Sequence, residues 1–107
     1  MRIMSYRIRR SDRNQSKIVE KFRSLGAHVF ITSEIGRGFP DLVVSIPLAT
    51  NFGLERRMFL IEIKDGEQIP SKQKLSPKEQ EFFNDWYEHV RIVRSEQEVV
   101  DLIESLR

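Results

Sequence analysis

The chain contains no cysteine, which excludes a disulfide framework and any thiolate metal site and is compatible with a reducing cytoplasm. Long apolar runs are also missing; none approaches the ~20 residues that a membrane-crossing helix needs. The opening stretch MRIMSYRIRR has neither the apolar centre nor the small-residue cleavage site of a secretory signal. We therefore expect a cytoplasmic protein with no membrane partner. Internal repeats and low-complexity tracts are absent, so no solenoid or disordered array is at hand. What remains is one domain: 107 residues, 39% hydrophobic and 32% charged, suffice for a single modest core but not for two.

The net charge of +2 is unevenly placed. Arg2, Arg7, Arg9, Arg10, Arg13 and Lys17 face only Asp12 in the first 17 residues, a local balance of +5 that leaves −3 for the rest. A basic arm, drawn at residues 1–12, on a mildly acidic body suits a polyanionic partner, with phosphates the obvious candidate.

Periodicity orders the elements as α-β-β-β-α-β-α. Ile18, Val19, Phe22 and Leu25 share one face of a helix from about Asn14 to Leu25, closed by Gly26. Strands are predicted over 27–33, 40–46, 57–64 and 89–95, with 47–57 as a long turn. Ser76, Pro77 and Glu79 open a second helix with a capping box, and Ser95 with Glu98 opens a last one. Phe82, Phe83, Trp86 and Tyr87 continue one face of the second helix and are expected in the core. The fold class is α/β, a four-stranded mixed sheet flanked by helices.

Chemistry concentrates in two stretches. In GFPDLVVSI (38–46), Asp41 stands between a proline and a strand that reads as buried. In RMFLIEIK (57–64), alternation puts Leu60, Glu62 and Lys64 on one face and Phe59, Ile61 and Ile63 on the other. An acid and a base at the end of so apolar a strand are costly to bury without partners. Hard cations such as Mg²⁺ want oxygen ligands of the kind Asp41 and Glu62 offer, and a lysine beside them can orient a water or offset developing charge.

P40-D41 followed by E62-I63-K64 resembles the PD-(D/E)XK nuclease signature. GRGFPDLVV, LIEIKDG and KLSPKEQEFF are similar, in order, to the motifs of the stand-alone virus-type replication-repair nuclease (VRR-NUC) family. The likeness runs from Asn14 to Ile103 and leaves out the basic arm and the 47–57 loop. It implies a restriction-endonuclease-like core. Asp41, Glu62 and the Ile63 carbonyl would hold Mg²⁺ or Mn²⁺, and Lys64 would be the catalytic lysine.

Many members of that superfamily carry a glutamate early in the first helix and a glutamine early in the second; here these places fall on Gln15 and Glu79. One expectation is that the pocket has exchanged the two side chains. The other is that Glu79 is only the N3 half of its capping box, with Gln80 as the rival pocket residue. Glu20 lies opposite the apolar stripe and should face water. Arg37, Lys72 and Lys74, with Arg9, Arg10 and Arg13 of the arm, are the DNA-binding candidates; His28 and His89 are ordinary strand positions.

The resemblance implies a metal-dependent, structure-specific DNA endonuclease acting on branched DNA such as four-way (Holliday) junctions or flaps. No base-reading helix is evident, and the two-fold symmetry of a junction suits a homodimer. The alternative is a nuclease-fold DNA-binding module without chemistry. An RNA nuclease is a third reading, since phosphate and metal contacts do not identify the sugar.

Overall fold

The computed structural model describes residues 10–70 and 74–107. Helix α1 spans Arg10–Ser24, β1 His28–Ile31, β2 Leu42–Thr50, β3 Gly53–Ile63, α2 Pro77–Trp86, β4 Val90–Val93 and α3 Glu96–Ser105. The order matches the α/β layout expected, and the strands form one four-stranded sheet in the order β1-β2-β3-β4. The first two pairings are antiparallel and β3–β4 is parallel, so the sheet is mixed. A parallel pair needs a crossover, and α2 lies in it. No described helix is long and apolar enough to cross a membrane.

The stripe on α1 dictates the core. Ile18, Val19 and Phe22 are buried against Leu42, Val44 and Ile46 of β2 and Phe59 and Ile61 of β3, and Val99 and Ile103 of α3 complete the cluster. Glu20, opposite that stripe, is exposed as expected. Gly26 ends α1 at φ +88, with its own N–H on the Arg23 carbonyl and the Ala27 N–H on the Phe22 carbonyl. That pair of bonds is a Schellman closure, which needs the left-handed conformation glycine adopts freely.

Three expectations are corrected. Helix α1 begins at Arg10 and so takes in the end of the stretch assigned to the basic arm. Residues 47–57 are no long turn: β2 and β3 continue in register to Thr50↔Gly53, joined through Asn51 and Phe52. Thr50 Oγ1 closes that turn by accepting the Phe52 N–H at 3.1 Å and donating to the Gly53 carbonyl at 2.9 Å. Pro47 is tolerated because β1 pairs β2 only at residues 42–45, leaving it beyond the edge strand. Trp86 and Tyr87 are not core; they are 48% and 59% exposed. Helix α2 covers only one end of its sheet face and buries no residue fully, so its aromatic row packs mainly on itself. Phe39 meets Phe82 edge-on at 5.3 Å, and Phe82 stacks on Trp86 at 5.8 Å.

Candidate active site

Asp41 sits at the mouth of β2. Its backbone N–H donates to the Ile61 carbonyl at 2.9 Å, and its Oδ2 accepts the Ile63 N–H at 2.8 Å. The acid is thus tied to the residues on either side of Glu62. The adjoining 63–64 peptide is trans and its Lys64 N–H points at the Val93 carbonyl of β4 (3.1 Å). A trans peptide directs its carbonyl the opposite way, so the Ile63 oxygen lies on the Asp41 side.

Glu62 is buried, with 5% of its surface exposed. Lys64 Nζ lies 3.8 Å from Glu62 Oε1 and 2.8 Å from Glu79 Oε1. That same Glu79 oxygen accepts the Ser76 N–H at 2.7 Å, while Ser76 Oγ accepts the Glu79 N–H. Glu79 therefore caps α2, as its capping-box reading expects, and the same carboxylate also reaches the lysine. Gln80 does not compete, since it is exposed and donates to Asn84 Oδ1. Ser95 caps α3 through the Glu98 N–H, but the Glu98 carboxylate returns to the Arg94 N–H, one residue earlier than a capping box requires.

Three carboxylates against one ammonium set the electrostatics. Burial raises Glu62 far above its ordinary range, and the negative charges of Asp41 and Glu79 add to it, with Lys64 only partly opposing. Burial also raises Asp41, against the Ile63 N–H and a hydrogen bond with Glu62. Glu79 goes the other way. Its burial would raise it, but bonds from Lys64, the Ser76 N–H and Glu62 hold it down to about 2. Burial and the two neighbouring acids thus favour the protonated form of Glu62 in the metal-free protein.

Among the described residues no group of three or more His, Cys, Asp or Glu is arranged around one ion. The third acid, Glu79, is spent on Lys64 and the helix cap. What the site offers is a two-carboxylate set with one carbonyl, which suits Mg²⁺, an ion that keeps several waters. Fully ionised, the three acids and one lysine lack two positive charges, the charge of one such ion. The residues fit a divalent cation on both counts.

Gln15 is half-buried on α1 and joins none of the hydrogen bonds among Asp41, Glu62, Lys64 and Glu79. Its neighbour Asn14 instead ties the ends of β3 and β4, donating to the carbonyls of Lys64 (3.1 Å) and Arg94 (3.3 Å). Sequence reasoning missed Asn14. Both residues stand four before a buried position, Ile18 or Val19, so periodicity does not separate them.

Of the phosphate-contact candidates, Arg37 is exposed at φ 59 in the turn before Asp41, and Lys74 is exposed beside a cavity of about 590 Å³ with Gln80, Phe83 and Arg94. Arg13 is exposed on a cavity of about 710 Å³ shared with Asn14, Lys17 and Asp65. Arg10 opens α1, whereas Arg9 and Lys72 lie outside the described residues. His28 and His89 are exposed. A further cavity of about 500 Å³ opens beside Asp41, between the glycine turn and the start of α2. Compared with protein-family models, with curated proteins and with solved structures, the chain matches none of them.

Proposed function

We propose that this chain is a metal-dependent nuclease of the PD-(D/E)XK type, similar to the stand-alone VRR-NUC proteins, that hydrolyses phosphodiester bonds in branched DNA. One observation carries it: Asp41 is bonded to the peptide that follows a buried Glu62, and the Lys64 ammonium lies between Glu62 and Glu79.

In this reading Asp41, Glu62 and the Ile63 carbonyl hold the cation. A divalent ion there supplies Lewis acidity to the scissile phosphate and lowers the pKa of the attacking water. Lys64, released towards the phosphate, orients that water and offsets the charge developing on phosphorus oxygens. Glu79 keeps the lysine placed until substrate competes for it. A cleft this acidic repels DNA unless the metal is present, so basic groups outside it, Arg13 and Arg37 among them, supply affinity. A homodimer would bring two such sites to a two-fold junction.

Lys64 is fully engaged by acids in this structure, which is the observation favouring the alternative, a DNA-binding module without turnover. One assay separates them. Mg²⁺-dependent nicking of four-way junction and flap DNA is expected, lost in Asp41→Asn. Binding without nicking at any Mg²⁺ or Mn²⁺ concentration would leave the binding module.

A further inference from the structure

A row of rings leads away from the candidate site. Phe39, two residues before Asp41, meets Phe82 edge-on at 5.3 Å. Phe82 stacks on Trp86 at 5.8 Å and 15° from parallel, and the Trp86 ring lies 6.2 Å from that of His89. Phe82 stands one turn of α2 beyond Glu79, whose carboxylate holds Lys64. The inner end of the row is covered and the outer end is not: Phe39 and Phe82 are half-buried, whereas Trp86 is 48% exposed. Leaving half an indole in water forgoes burial that the fold could use.

We propose that Trp86 is a stacking platform for an unpaired nucleobase of the substrate strand. The inference rests on the nuclease reading and names the substrate feature that reading leaves open: single-stranded bases next to the cut, as in a flap or an opened branch point. Distance sets the place. Trp86 follows Glu79 by seven residues of α2, ~10.5 Å of helix, which matches about three stacked nucleotides at ~3.4 Å each.

Chemistry sets the occupant. A base stacks on an aromatic ring whatever its sequence, but inside a duplex both of its faces are already stacked, so only an unpaired base has a face to offer the indole. Charge confines the contact to the base. Glu81 and Asp85, exposed on the same helix, keep phosphates off it. Arg37 and Lys78 are exposed where the row begins, and Lys78 lines with Phe39 and Asp41 the cavity of about 500 Å³ beside the site, so the strand's phosphates have cations at that end. A strand entering there runs along the rings towards Trp86.

The test reads the indole itself, because Trp86 is the chain's one tryptophan. The full chain, in chelator so that no bond is cut, is titrated with a flap DNA, the matching fully paired duplex and a free single strand, following tryptophan emission and binding together. Flap and single strand should quench the emission at least about twofold more deeply than the duplex does. Trp86→Ala should raise the Kd for the flap about tenfold and leave that for the duplex unchanged, while Trp86→Phe, which keeps a ring, should hold it within about threefold. Equal quenching by flap and duplex, flap binding without quenching, or an alanine variant that binds the flap as tightly as the unaltered chain overturns the proposal. So does emission that shifts with protein concentration and is then indifferent to DNA, because a second copy would cover the ring. Quenching with no nicking once Mg²⁺ is added would remove the nuclease reading and leave Trp86 the base platform of a binding module; nicking with a silent Trp86 would do the reverse.

Discussion

Lys64 and Glu79 meet at 2.8 Å, and the Glu79 oxygen that holds the ammonium also accepts the Ser76 N–H. One carboxylate oxygen therefore joins the end of β3 to the first turn of α2. The two duties separate chemically. A glutamine at 79 still offers an acceptor for the cap but carries no charge for the lysine. Glu79→Gln should change the cleavage rate by about tenfold or more while shifting stability by no more than ~1 kcal/mol. Glu79→Ala should lower both. Thermal melts beside single-turnover rates decide it: unchanged rates in both variants with the melt lowered in Glu79→Ala would reduce Glu79 to a cap.

Removing either carboxylate of the proposed metal set should stop chemistry without harming affinity. Asp41→Asn and Glu62→Gln each delete a hard oxygen charge from a site already crowded with acids, and less negative charge near phosphate does not weaken DNA binding. Expected are nicking rates down by at least ~1000-fold with junction affinity unchanged or higher. Full activity in either variant would remove the basis for the site.

The pH dependence of the metal-free protein follows from the raised acids. Folded Glu62 keeps its proton at pH values where the unfolded chain, with a pKa of 4.5, has lost it. The folded state then binds more protons, so stability falls as pH rises from about 5 towards 8, and Asp41 adds in the same sense. Glu79 has the opposite sign: held at about 2, its stabilisation is complete above 4.5 and is lost as pH falls towards 2. Melting temperatures measured in chelator across that upper range should decline, Glu62→Gln should flatten the slope, and Mg²⁺ should stabilise more at pH 8 than at pH 6. A flat profile in the unaltered protein would contradict the proton on Glu62.

Two glycines three residues or more before Asp41 should respond differently to the same change. Gly38, at φ +82, lies so close to α2 that a Cβ would collide with the Lys78 carbonyl. Gly36, at φ +73, has open space around it. Gly36→Ala should cost only the left-handed strain, about 1–2 kcal/mol. Gly38→Ala adds a backbone collision beside Glu79 and should cost more than about 3 kcal/mol or displace the start of α2. Chemical denaturation of the two variants compares them directly; equal costs would mean that α2 yields freely.

The order of elements and the shared strand face of Glu62 and Lys64 were legible because they rest on local rules, whereas Asp41 was joined to them through the resemblance to a nuclease signature. Helical spacing put Ile18, Val19 and Phe22 together, and two-residue alternation put Glu62 and Lys64 on one face. The α2 boundary was equally local, since Ser76, Pro77 and Glu79 satisfy orphan donors within one turn.

What failed to show in the sequence depends on neighbours distant along the chain. Residues 47–57 carry turn-like composition, yet the register set by Leu42↔Ile61 zips the hairpin on to Gly53. Trp86 and Tyr87 look like core by periodicity, but the sheet face beneath them is only partly covered. Asn14 rather than Gln15 reaches the ends of β3 and β4 because the docking of α1, not its 3.6-residue repeat, selects which residue meets them. Sequence by itself determined which residues carry charge and which face of each element is apolar, since both follow from neighbours a few residues away. Only the tertiary structure decided which of those faces found cover and which acid received the single lysine, because burial and Coulomb energy depend on the packing of elements brought together from across the chain.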